Sequence, residues 1–338
     1  MPETVITMTR ARIVVMTTGG TIASRRDPSG RNRSGALQGE ELMHHVTLPP
    51  EAEVDLEVRS VLQKPSNAIT LDDLLYLRQE CLVLAESSEV KGIVITHGTD
   101  TLEETAYFLD IMLPTSLTLV LTGSQRAPHE PGTDAFRNLA DAVLVAVSDQ
   151  ARGLGTLVVF NQSIFSARQV RKTSSFQVNG FASPETGPIG YIDGTRVSVA
   201  MRPARPEGLN IPIDATLPRV DILPAYLDAS PDLLESAVEA GAAGLVIDGL
   251  GRGHVPPSWL NIIPSITQRG IPVAIVSSCP TGPVHPSYEF TGSLASLEAI
   301  GVIAVQDLSA RKARLLLSAL LASSRQSEIA ERLRTLTA

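Results

Sequence analysis

Residues 92–104 read GIVITHGTDTLEE, and this stretch decides the fold of the chain. Its first five residues, GIVIT, form a short apolar and β-branched run, which is typical of a strand buried on both faces of a sheet. Gly98 then allows a tight turn, and Thr99 and Asp100 before Leu102 are typical of residues that cap the start of a helix. Strand, turn and helix in this order predict one unit of a parallel α/β sheet.

The same alternation extends over the first two-thirds of the chain. Predicted strands are Arg12–Met16, Gly92–Thr96, Leu117–Thr122 and Leu157–Phe160. Predicted helices are Leu71–Glu86, Leu102–Met112 and Asp134–Val147. Because buried strands that alternate with helices form parallel sheets with right-handed crossovers, this part of the chain is predicted to be a doubly wound, mostly parallel α/β domain.

A second, smaller domain is expected, because 338 residues are more than one hydrophobic core usually organises. Four prolines with few helix or strand signals between them indicate a linker: Pro203, Pro206, Pro212 and Pro218. We therefore predict a larger α/β domain at 1–202, a linker at 203–218 and a smaller α/β domain at 219–338.

Strands and helices alternate again after this linker. Predicted strands are Val220–Leu223, Gly244–Ile247 and Pro272–Val276. Predicted helices are Leu233–Ala240, Trp259–Gln268, Leu294–Ala299 and Ala310–Leu321. Pro264 weakens the second of these helices, because proline inside a helix removes a backbone hydrogen bond and clashes with the preceding turn.

Composition and charge narrow the class of protein. The formal charge is -8 at pH 7, which disfavours non-specific nucleic-acid binding. The two cysteines, Cys81 and Cys279, have no metal-site spacing and predict neither a disulfide framework nor a zinc site. The N-terminal sequence lacks a secretory pattern, and no apolar run reaches the roughly 18 residues needed to cross a bilayer. We expect a cytoplasmic protein without nucleic-acid or membrane partners.

Polar, glycine-containing segments follow three of the predicted strands directly. They are Thr17–Ser24, His97–Thr101 and Gly123–Arg126. Ligands of an open parallel sheet bind at the carboxyl ends of its strands, where the strand order reverses. Converging there, these loops would supply hydroxyls, a carboxylate and backbone amides. Acyl transfer from an amide uses such groups as nucleophile, proton carriers and oxyanion site.

Simpler interpretations exist for the same segments. Gly19 and Gly20 suit a tight turn or the close approach of a phosphate. The G-x-G-x-x-G and G-x-x-x-x-G-K-[ST] spacings are absent, which disfavours a nucleotide site. Thr21 and Asp100 also suit helix capping.

A hydroxyl nucleophile needs an activating group, and Lys172 is our candidate. It follows the fourth predicted strand. A buried lysine beside Asp100 exchanges protons through Thr99, and the simpler interpretation of Lys172 is a solvated surface side chain.

Several of these segments resemble a known family. Thr18–Ala23 (TGGTIA) resembles the first signature of bacterial L-asparaginases, and residues 92–106 (GIVITHGTDTLEETA) resemble the second almost letter for letter. The resemblance extends to Gly123–Arg126, Asp134–Leu139, Val170–Thr173 and Gly187–Ile192. It continues weakly through the C-terminal domain. The chain is thus similar to the threonine-nucleophile amidohydrolases of the L-asparaginase and glutaminase family.

This resemblance implies roles for individual residues. It implies that Thr21 is the nucleophile and that the proton-relay group consists of Thr99, Asp100 and Lys172. Substrate contacts fall to Gly20, Ser66, Asn67, Gly98, Ser124 and His254. Ser66 is expected to hold the substrate carboxylate, and Asp100 its ammonium. The resemblance also implies a homotetramer without metal or organic cofactor, in which a neighbouring subunit completes each active site.

Three departures from the family pattern concern the edge of the site. The lid loop Ser24–Leu37 contains no tyrosine and carries four arginines, which predicts a mobile, basic segment or a lid that attracts an anionic substrate. His254 stands where the family has asparagine. The glutamate that the neighbouring subunit contributes has no clear match near Pro280–Phe290, where Tyr288 and Glu289 are candidates.

The predicted function is hydrolysis of the side-chain amide of L-asparagine, or of a close ω-amide, through an acyl-enzyme on Thr21. Because the neighbouring-subunit glutamate that would join Asp100 at the substrate ammonium has no clear match, the α-substituent of the substrate is open. The choice of tetramer or dimer is open as well. One alternative is a non-catalytic protein that binds an amino-acid-like ligand, which predicts binding without ammonia release. The other is a nucleotide-binding α/β enzyme, which labelled nucleotide would detect.

Overall fold

A computed structural model of the chain describes residues 10–114, 116–206 and 208–337. They form two compact units. The first comprises the described residues up to Ala106, Leu113–Ser183 and Gly187–Arg205. The second comprises Tyr107–Met112, Pro184–Thr186 and the described residues from Pro206 onward. The division at 1–202, 203–218 and 219–338 stays a prediction.

The described residues up to Val199 contain twelve strands and four α-helices, and the last part of α3, Tyr107–Met112, belongs to the second unit. The strands are β1 (Ala11–Gly19), β2 (Arg25–Arg26), β3 (Asn32–Arg33), β4 (Val54–Lys64), β5 (Val90–Thr96), β6 (Leu119–Thr122), β7 (Thr156–Phe160), β8 (Ser163–Ser166), β9 (Arg171–Lys172), β10 (Phe181–Ala182), β11 (Gly190–Asp193) and β12 (Arg196–Val199). The helices are α1 (Gly39–Met43), α2 (Leu71–Ala85), α3 (Leu102–Met112) and α4 (Ala135–Val147).

Eight of the strands form one sheet in the order β12-β11-β8-β7-β6-β5-β1-β4. The five from β7 to β4 pair in parallel, and β8, β11 and β12 continue the sheet in antiparallel pairs. In this order, β1 and β5 are neighbours. The next strand of the sheet after β1 is β4, on the far side of β1, and the next after β5 is β6, on the far side of β5. The carboxyl ends of β1 and β5 therefore flank the position where strand order reverses, as an α/β ligand site requires.

The apolar residues of the central strands explain this arrangement. Ile13, Val15, Val94 and Val120 are fully buried and pack with α4 in one hydrophobic cluster. Apolar residues occupy both faces of these strands, so exposing either face to water would lose a large buried apolar area. The predicted α/β fold, with a larger, mostly parallel sheet and a second smaller α/β unit, is confirmed.

The sequence prediction omitted β4, although it is the longest strand of the sheet at 11 residues. Its sequence, VDLEVRSVLQK, mixes charged and apolar residues because β4 is an edge strand with mostly half-buried side chains. A continuous apolar run is typical of a strand covered on both faces, and an edge strand such as β4 lacks one. The sequence prediction missed the antiparallel strands β8, β11 and β12 as well, each of which has only four residues.

A parallel four-stranded sheet, β13-β14-β15-β16, forms the centre of the second unit. Its strands are β13 (Val220–Pro224), β14 (Gly244–Gly249), β15 (Val273–Ser277) and β16 (Ile303–Ala304). The later helices are α5 (Asp232–Glu239), α6 (Ile263–Gln268), α7 (Leu294–Glu298), α8 (Ala310–Ser323) and α9 (Ile329–Thr337). Trp259, Ile263 and Ile275 are buried in its core.

The single helix predicted at Trp259–Gln268 is wrong. A 3₁₀ helix at Pro257–Asn261 precedes α6, and Ile262 separates them as the N-cap of α6. Pro264 lies in the first turn of α6, where the missing N–H of proline leaves no helical hydrogen bond unmade. Proline thus starts a new helix here instead of interrupting a longer one.

Helix lengths in the described ranges are modest. The longest, α2, has 15 residues and begins with a capping box in which Thr70 and Asp73 exchange hydrogen bonds. Across the described parts of the chain, no helix has the length and apolar character needed to span a bilayer.

Gly92 in β5 tests the packing of α4 against the sheet. A Cβ atom there would overlap the backbone oxygen of Ala146, which belongs to α4. We expect Gly92→Ala to lower the free energy of unfolding by about 3 kcal/mol, since backbone atoms must shift to admit it. Chemical denaturation measures the loss.

Gly153→Ala is the control, because Gly153 has a left-handed backbone and open space around its Cβ position. It should cost only about 1 kcal/mol through backbone strain. Equal losses in the two variants would contradict close packing of α4 at Gly92.

Candidate active site

The loop after β1 is pressed against the loop after β5. Gly19 and Gly20 have φ angles of 109° and 82°, in the left-handed region that favours glycine. A Cβ atom on Gly20 would lie 2.5 Å from the Cα of Gly98, and one on Gly98 would lie 3.2 Å from the Cα of Gly20. Backbone therefore meets backbone, and both positions need glycine.

Thr21 and Thr99 each follow one of these touching glycines. Thr21 starts a 3₁₀ helix at Thr21–Ala23 and is half-buried, whereas Thr99 is 6% exposed. Since consecutive Cα atoms are about 3.8 Å apart, the Cα atoms of the two threonines lie within about 12 Å of each other. Both threonines thus lie on neighbouring loops at the same edge of the sheet.

His97 connects the loop after β5 to α3 through two hydrogen bonds. It is fully buried, its Nδ1 lies 2.8 Å from the backbone oxygen of Gly98, and its Nε2 lies 3.0 Å from the Thr105 hydroxyl. A carbonyl oxygen only accepts, so Nδ1 carries the proton and Nε2 accepts from Thr105. Burial lowers the pKa of His97 to about 4, so the imidazole is neutral near pH 7.

Lys172 reaches the same loop from the short strand β9. Its Nζ donates to Thr99 Oγ1 at 2.7 Å and to Asp100 Oδ1 at 2.7 Å. The lysine side chain is only 14% exposed, whereas that of Asp100 is 71% exposed. A largely buried ammonium is stabilised by the adjacent carboxylate and the hydroxyl, so the solvated-lysine interpretation does not describe it.

A buried carboxylate sets the position of this lysine. Glu103, in the first turn of α3, accepts the backbone N–H of Lys172 at 2.5 Å and is 4% exposed. β9 also pairs with β10, with Lys172 opposite Phe181. The amine is therefore anchored through its own backbone to the helix that follows Thr99 and Asp100.

Ser66 and Asn67 lie in a 3₁₀ helix after β4. A Cβ atom on Gly98 would lie 2.8 Å from Ser66 Oγ, so this buried serine borders the glycine contact. Thr101 Oγ1 donates to the Ser66 backbone oxygen at 2.9 Å, which ties the segment to the loop after β5. Asn67 is exposed.

Ser124 is completely buried, and its hydroxyl donates to the backbone oxygen of Arg126 at 2.7 Å. Sequence reasoning singled out Ser124 and passed over its neighbour Gln125, whose side chain contacts Thr99 at 3.3 Å. The position of Gln125 after the end of β6 was the available signal, but a glutamine in a loop carries no catalytic pattern of its own.

His254 belongs to the second unit, so its predicted substrate contact stays a prediction. Its ring packs against Phe290 and Tyr288, with ring centroids 5.0 Å and 5.8 Å away. Burial lowers the pKa of His254. Tyr288 is 56% exposed.

The loop at residues 24–37, which the sequence predicts to be a mobile basic segment or a lid, contains a small hairpin of β2 and β3. Arg25 pairs with Glu41, and Asn32 donates to Glu130 at 2.8 Å. The Leu37 N–H donates to the Ala23 backbone oxygen at 2.9 Å, so the far end of the segment returns to the 3₁₀ helix that begins at Thr21.

Comparison with known proteins identifies the family. The family model "Asparaginase, N-terminal" matches residues 12–205, and "Glutaminase/Asparaginase C-terminal domain" matches residues 219–333. The chain belongs to the asparaginase family. The Bacillus licheniformis protein named L-asparaginase is 40% identical over 315 residues, which cover 93% of this chain and 97% of that protein.

Two further asparaginases are similar over nearly the whole chain. A Deinococcus radiodurans protein named "Probable L-asparaginase" is 39% identical over 312 residues, or 92% of each chain. The solved structure of "Probable Cytoplasmic L-asparaginase from Campylobacter jejuni" superposes with a TM-score of 0.84 at 30% identity, and covers 96% of this chain and 99% of that one. The family resemblance expected from the signature segments is confirmed.

The buried imidazole of this asparaginase-family chain predicts acid sensitivity. Unfolding restores the ordinary pKa of about 6.5, so the unfolded state binds more protons than the folded state between pH 6.5 and pH 4. The free energy of unfolding should fall as the pH falls through this window, by on the order of 3 kcal/mol from His97 alone. Denaturant titration at several pH values measures this loss.

His97→Gln should flatten that pH dependence by about one proton, because the buried titrating group is gone. His285→Gln is the matched control, since His285 is exposed. An unchanged slope in His97→Gln would contradict the neutral, buried state of His97.

Proposed function

We propose that this protein hydrolyses the side-chain amide of L-asparagine, or of a close ω-amide, to a carboxylate and ammonia. The observation that carries the proposal is the position of Lys172 Nζ, 2.7 Å from both Thr99 Oγ1 and Asp100 Oδ1, in a chain of the asparaginase family. An amine, a hydroxyl and a carboxylate in direct contact can move protons to and from a neighbouring nucleophile. The non-catalytic alternative gives this arrangement no task.

Thr21 is the proposed nucleophile. Its Oγ attacks the amide carbon, the C–N bond breaks, and the acyl group remains on Thr21 as an ester. The proton lost by Thr21 is carried by the relay of Thr99 and Lys172 to the leaving nitrogen, which departs as ammonia. Water then attacks the ester, gives its proton to the same relay, and restores the Thr21 hydroxyl.

The closed contact between the two glycine turns supports a proposed substrate site beside it. We assign stabilisation of the oxyanion to backbone N–H groups of these two turns, which the contact between Gly20 and Gly98 holds together. Ser66 and Asn67 are proposed to hold the substrate carboxylate. The backbone of Ser124 is proposed to contact the amide nitrogen.

The edge of the site bears on the choice of substrate. The hairpin of β2 and β3 supplies arginines and no tyrosine between Ser24 and Leu37. The neighbouring-subunit glutamate that would join Asp100 at the substrate ammonium has no clear match in the sequence, and an incompletely paired α-ammonium would cost several kcal/mol of binding. We therefore include ω-amides whose α-substituent is not a free ammonium among the proposed substrates. His254 stays a candidate contact.

Localisation and assembly are parts of the same proposal. We propose a cytoplasmic enzyme that acts as a homo-oligomer, either a tetramer or a dimer, and that needs no organic cofactor. Light scattering coupled to size-exclusion chromatography distinguishes a tetramer from a dimer or a monomer, and cell fractionation tests the compartment.

A substrate panel tests the proposed reaction directly. Ammonia release is measured from asparagine, glutamine, succinamic acid and N-acylated asparagine. We expect release from at least one four-carbon ω-amide, with the N-substituted or ammonium-free compounds turned over at least as well as asparagine. A strong preference for free asparagine would remove the altered-substrate idea and leave the hydrolase intact. Tight binding without ammonia from any compound would favour the binding protein.

Thr21→Ala should reduce turnover by at least about a thousandfold, because no acyl-enzyme can form. Fold and oligomer should be unchanged by circular dichroism and light scattering. Thr195→Ala, in the exposed turn between β11 and β12, is the matched control. Near-normal turnover in Thr21→Ala would remove the nucleophile assignment.

Lys172→Met should lower kcat much more than it raises KM, because the amine acts on protons and not on ground-state binding. The exposed Lys91 provides the matched Lys91→Met control. A variant at position 172 that loses only affinity would contradict the relay.

A further inference from the structure

Gln125 is held in a defined position just beyond the end of β6. Its backbone N–H donates to Asp134 Oδ2 at 3.0 Å, and the following N–H, of Arg126, donates to Asp134 Oδ1 at 3.0 Å. Asn138 Nδ2 donates to the same carboxylate at 3.0 Å. The backbone that carries the Gln125 side chain is therefore fixed to the start of α4.

Two contacts fix the side-chain amide as well. Its Nε2 donates to the backbone oxygen of Ser174 at 3.0 Å, and its Oε1 lies 3.3 Å from Thr99 Oγ1. A backbone carbonyl only accepts hydrogen bonds, so the NH₂ group must face Ser174 and the oxygen must face Thr99. Gly180 leaves room for this orientation, since a Cβ atom there would overlap Gln125 Nε2.

These contacts define the hydrogen bonds of the Thr99 hydroxyl. It has one proton and two lone pairs. The ammonium of Lys172 donates to one lone pair at 2.7 Å, and the proton of Thr99 points to Gln125 Oε1. The remaining lone pair is the only part of the hydroxyl left for a water molecule or a reacting group.

We propose that Gln125 is a positioning residue that orients the Thr99 hydroxyl during proton relay. This inference rests on the proposed function. Before attack, the ammonium of Lys172 gives one proton to solvent through the exposed Asp100 carboxylate, and the Thr99 proton turns from Gln125 Oε1 to the resulting amine. When Thr21 attacks, its O–H bond breaks and its proton binds Thr99 Oγ1, while Thr99 passes its own proton to that amine. Lys172 is then an ammonium that donates back to Thr99 Oγ1. The new Thr99 proton turns to Gln125 Oε1, which keeps it away from the nucleophile.

The bond between Gln125 and Thr99 therefore keeps the Thr99 hydroxyl in the rotamer that the relay uses, before and after proton transfer, and contributes little to substrate binding. A single neutral hydrogen bond is worth about 1 kcal/mol, or roughly five- to tenfold in rate. Its length of 3.3 Å places it among the weaker hydrogen bonds. The effect should thus appear in kcat and should not abolish activity.

Two substitutions separate the contacts of Gln125. Gln125→Met keeps the size of the side chain and loses both hydrogen bonds. Gln125→Glu keeps an oxygen that accepts from Thr99 and loses the NH₂ that donates to Ser174. Gln177→Met is the matched control, because Gln177 is exposed on the turn that contains Ser174.

We expect Gln125→Met to lower kcat about tenfold with KM changed less than about twofold, and Gln125→Glu to recover kcat to within about threefold of the wild-type value. Gln177→Met should match the wild type. If Gln125 merely fastened the turn at Ser174, Gln125→Glu would be as impaired as Gln125→Met. That result, an unaffected Gln125→Met or a loss confined to KM would each overturn the proposal.

Crystal structures of the wild type and both variants provide a readout that needs no turnover. Thr99 should keep one rotamer, with Oγ1 within hydrogen-bond distance of Lys172 Nζ, in the wild type and in Gln125→Glu. It should populate a second rotamer in Gln125→Met, and an unchanged Thr99 there would overturn the inference. A wild type that releases no ammonia from any ω-amide would instead defeat the proposed function, and the crystallographic comparison would still decide the role of Gln125.

Discussion

The contact between Gly20 and Gly98 is the constraint on which the rest of the site depends. β1 and β5 are neighbours in the sheet, and their chains leave the sheet in opposite directions. The two turns can meet only where neither carries a side chain. Backbone geometry therefore holds the Cα atoms of Thr21 and Thr99, one residue beyond the contact, within about 12 Å of each other. The sheet topology brings the two loops to one edge of the sheet, and the glycines let their backbones touch.

The ionisable side chains around this glycine contact are either neutral or paired with a partner of opposite charge or a hydrogen-bond donor. His97 supports the Gly98 turn as a neutral imidazole, so this fully buried side chain brings no charge into the core. The positive charge of Lys172 meets the Asp100 carboxylate at the more exposed end of the cluster. Glu103 binds the backbone of Lys172, and this leaves the amine itself directed to Thr99 and Asp100. Burial and pairing together keep the amine in place without an unpaired buried ion.

Sequence reasoning recovered the parts of the molecule that local pattern determines. Continuous apolar runs identified β1, β5, β6 and β7, and the glycine and threonine segments after them identified the loops of the site. The edge strand β4 was missed because its half-buried side chains follow no continuous apolar pattern. The contacts of Gln125 and Glu103 were missed for another reason. Each joins segments dozens of residues apart, and nothing in a single sequence encodes that pairing.

Lys172 belongs to β9, which pairs with β10 through only two residue pairs. In the described ranges, these two strands form a separate two-stranded sheet, apart from the eight-stranded one. Exchanges or insertions in the turn between Thr173 and Gly180 would thus leave the folding of the main sheet unaffected. Laboratory libraries aimed at new amides can therefore vary this turn while retaining the scaffold.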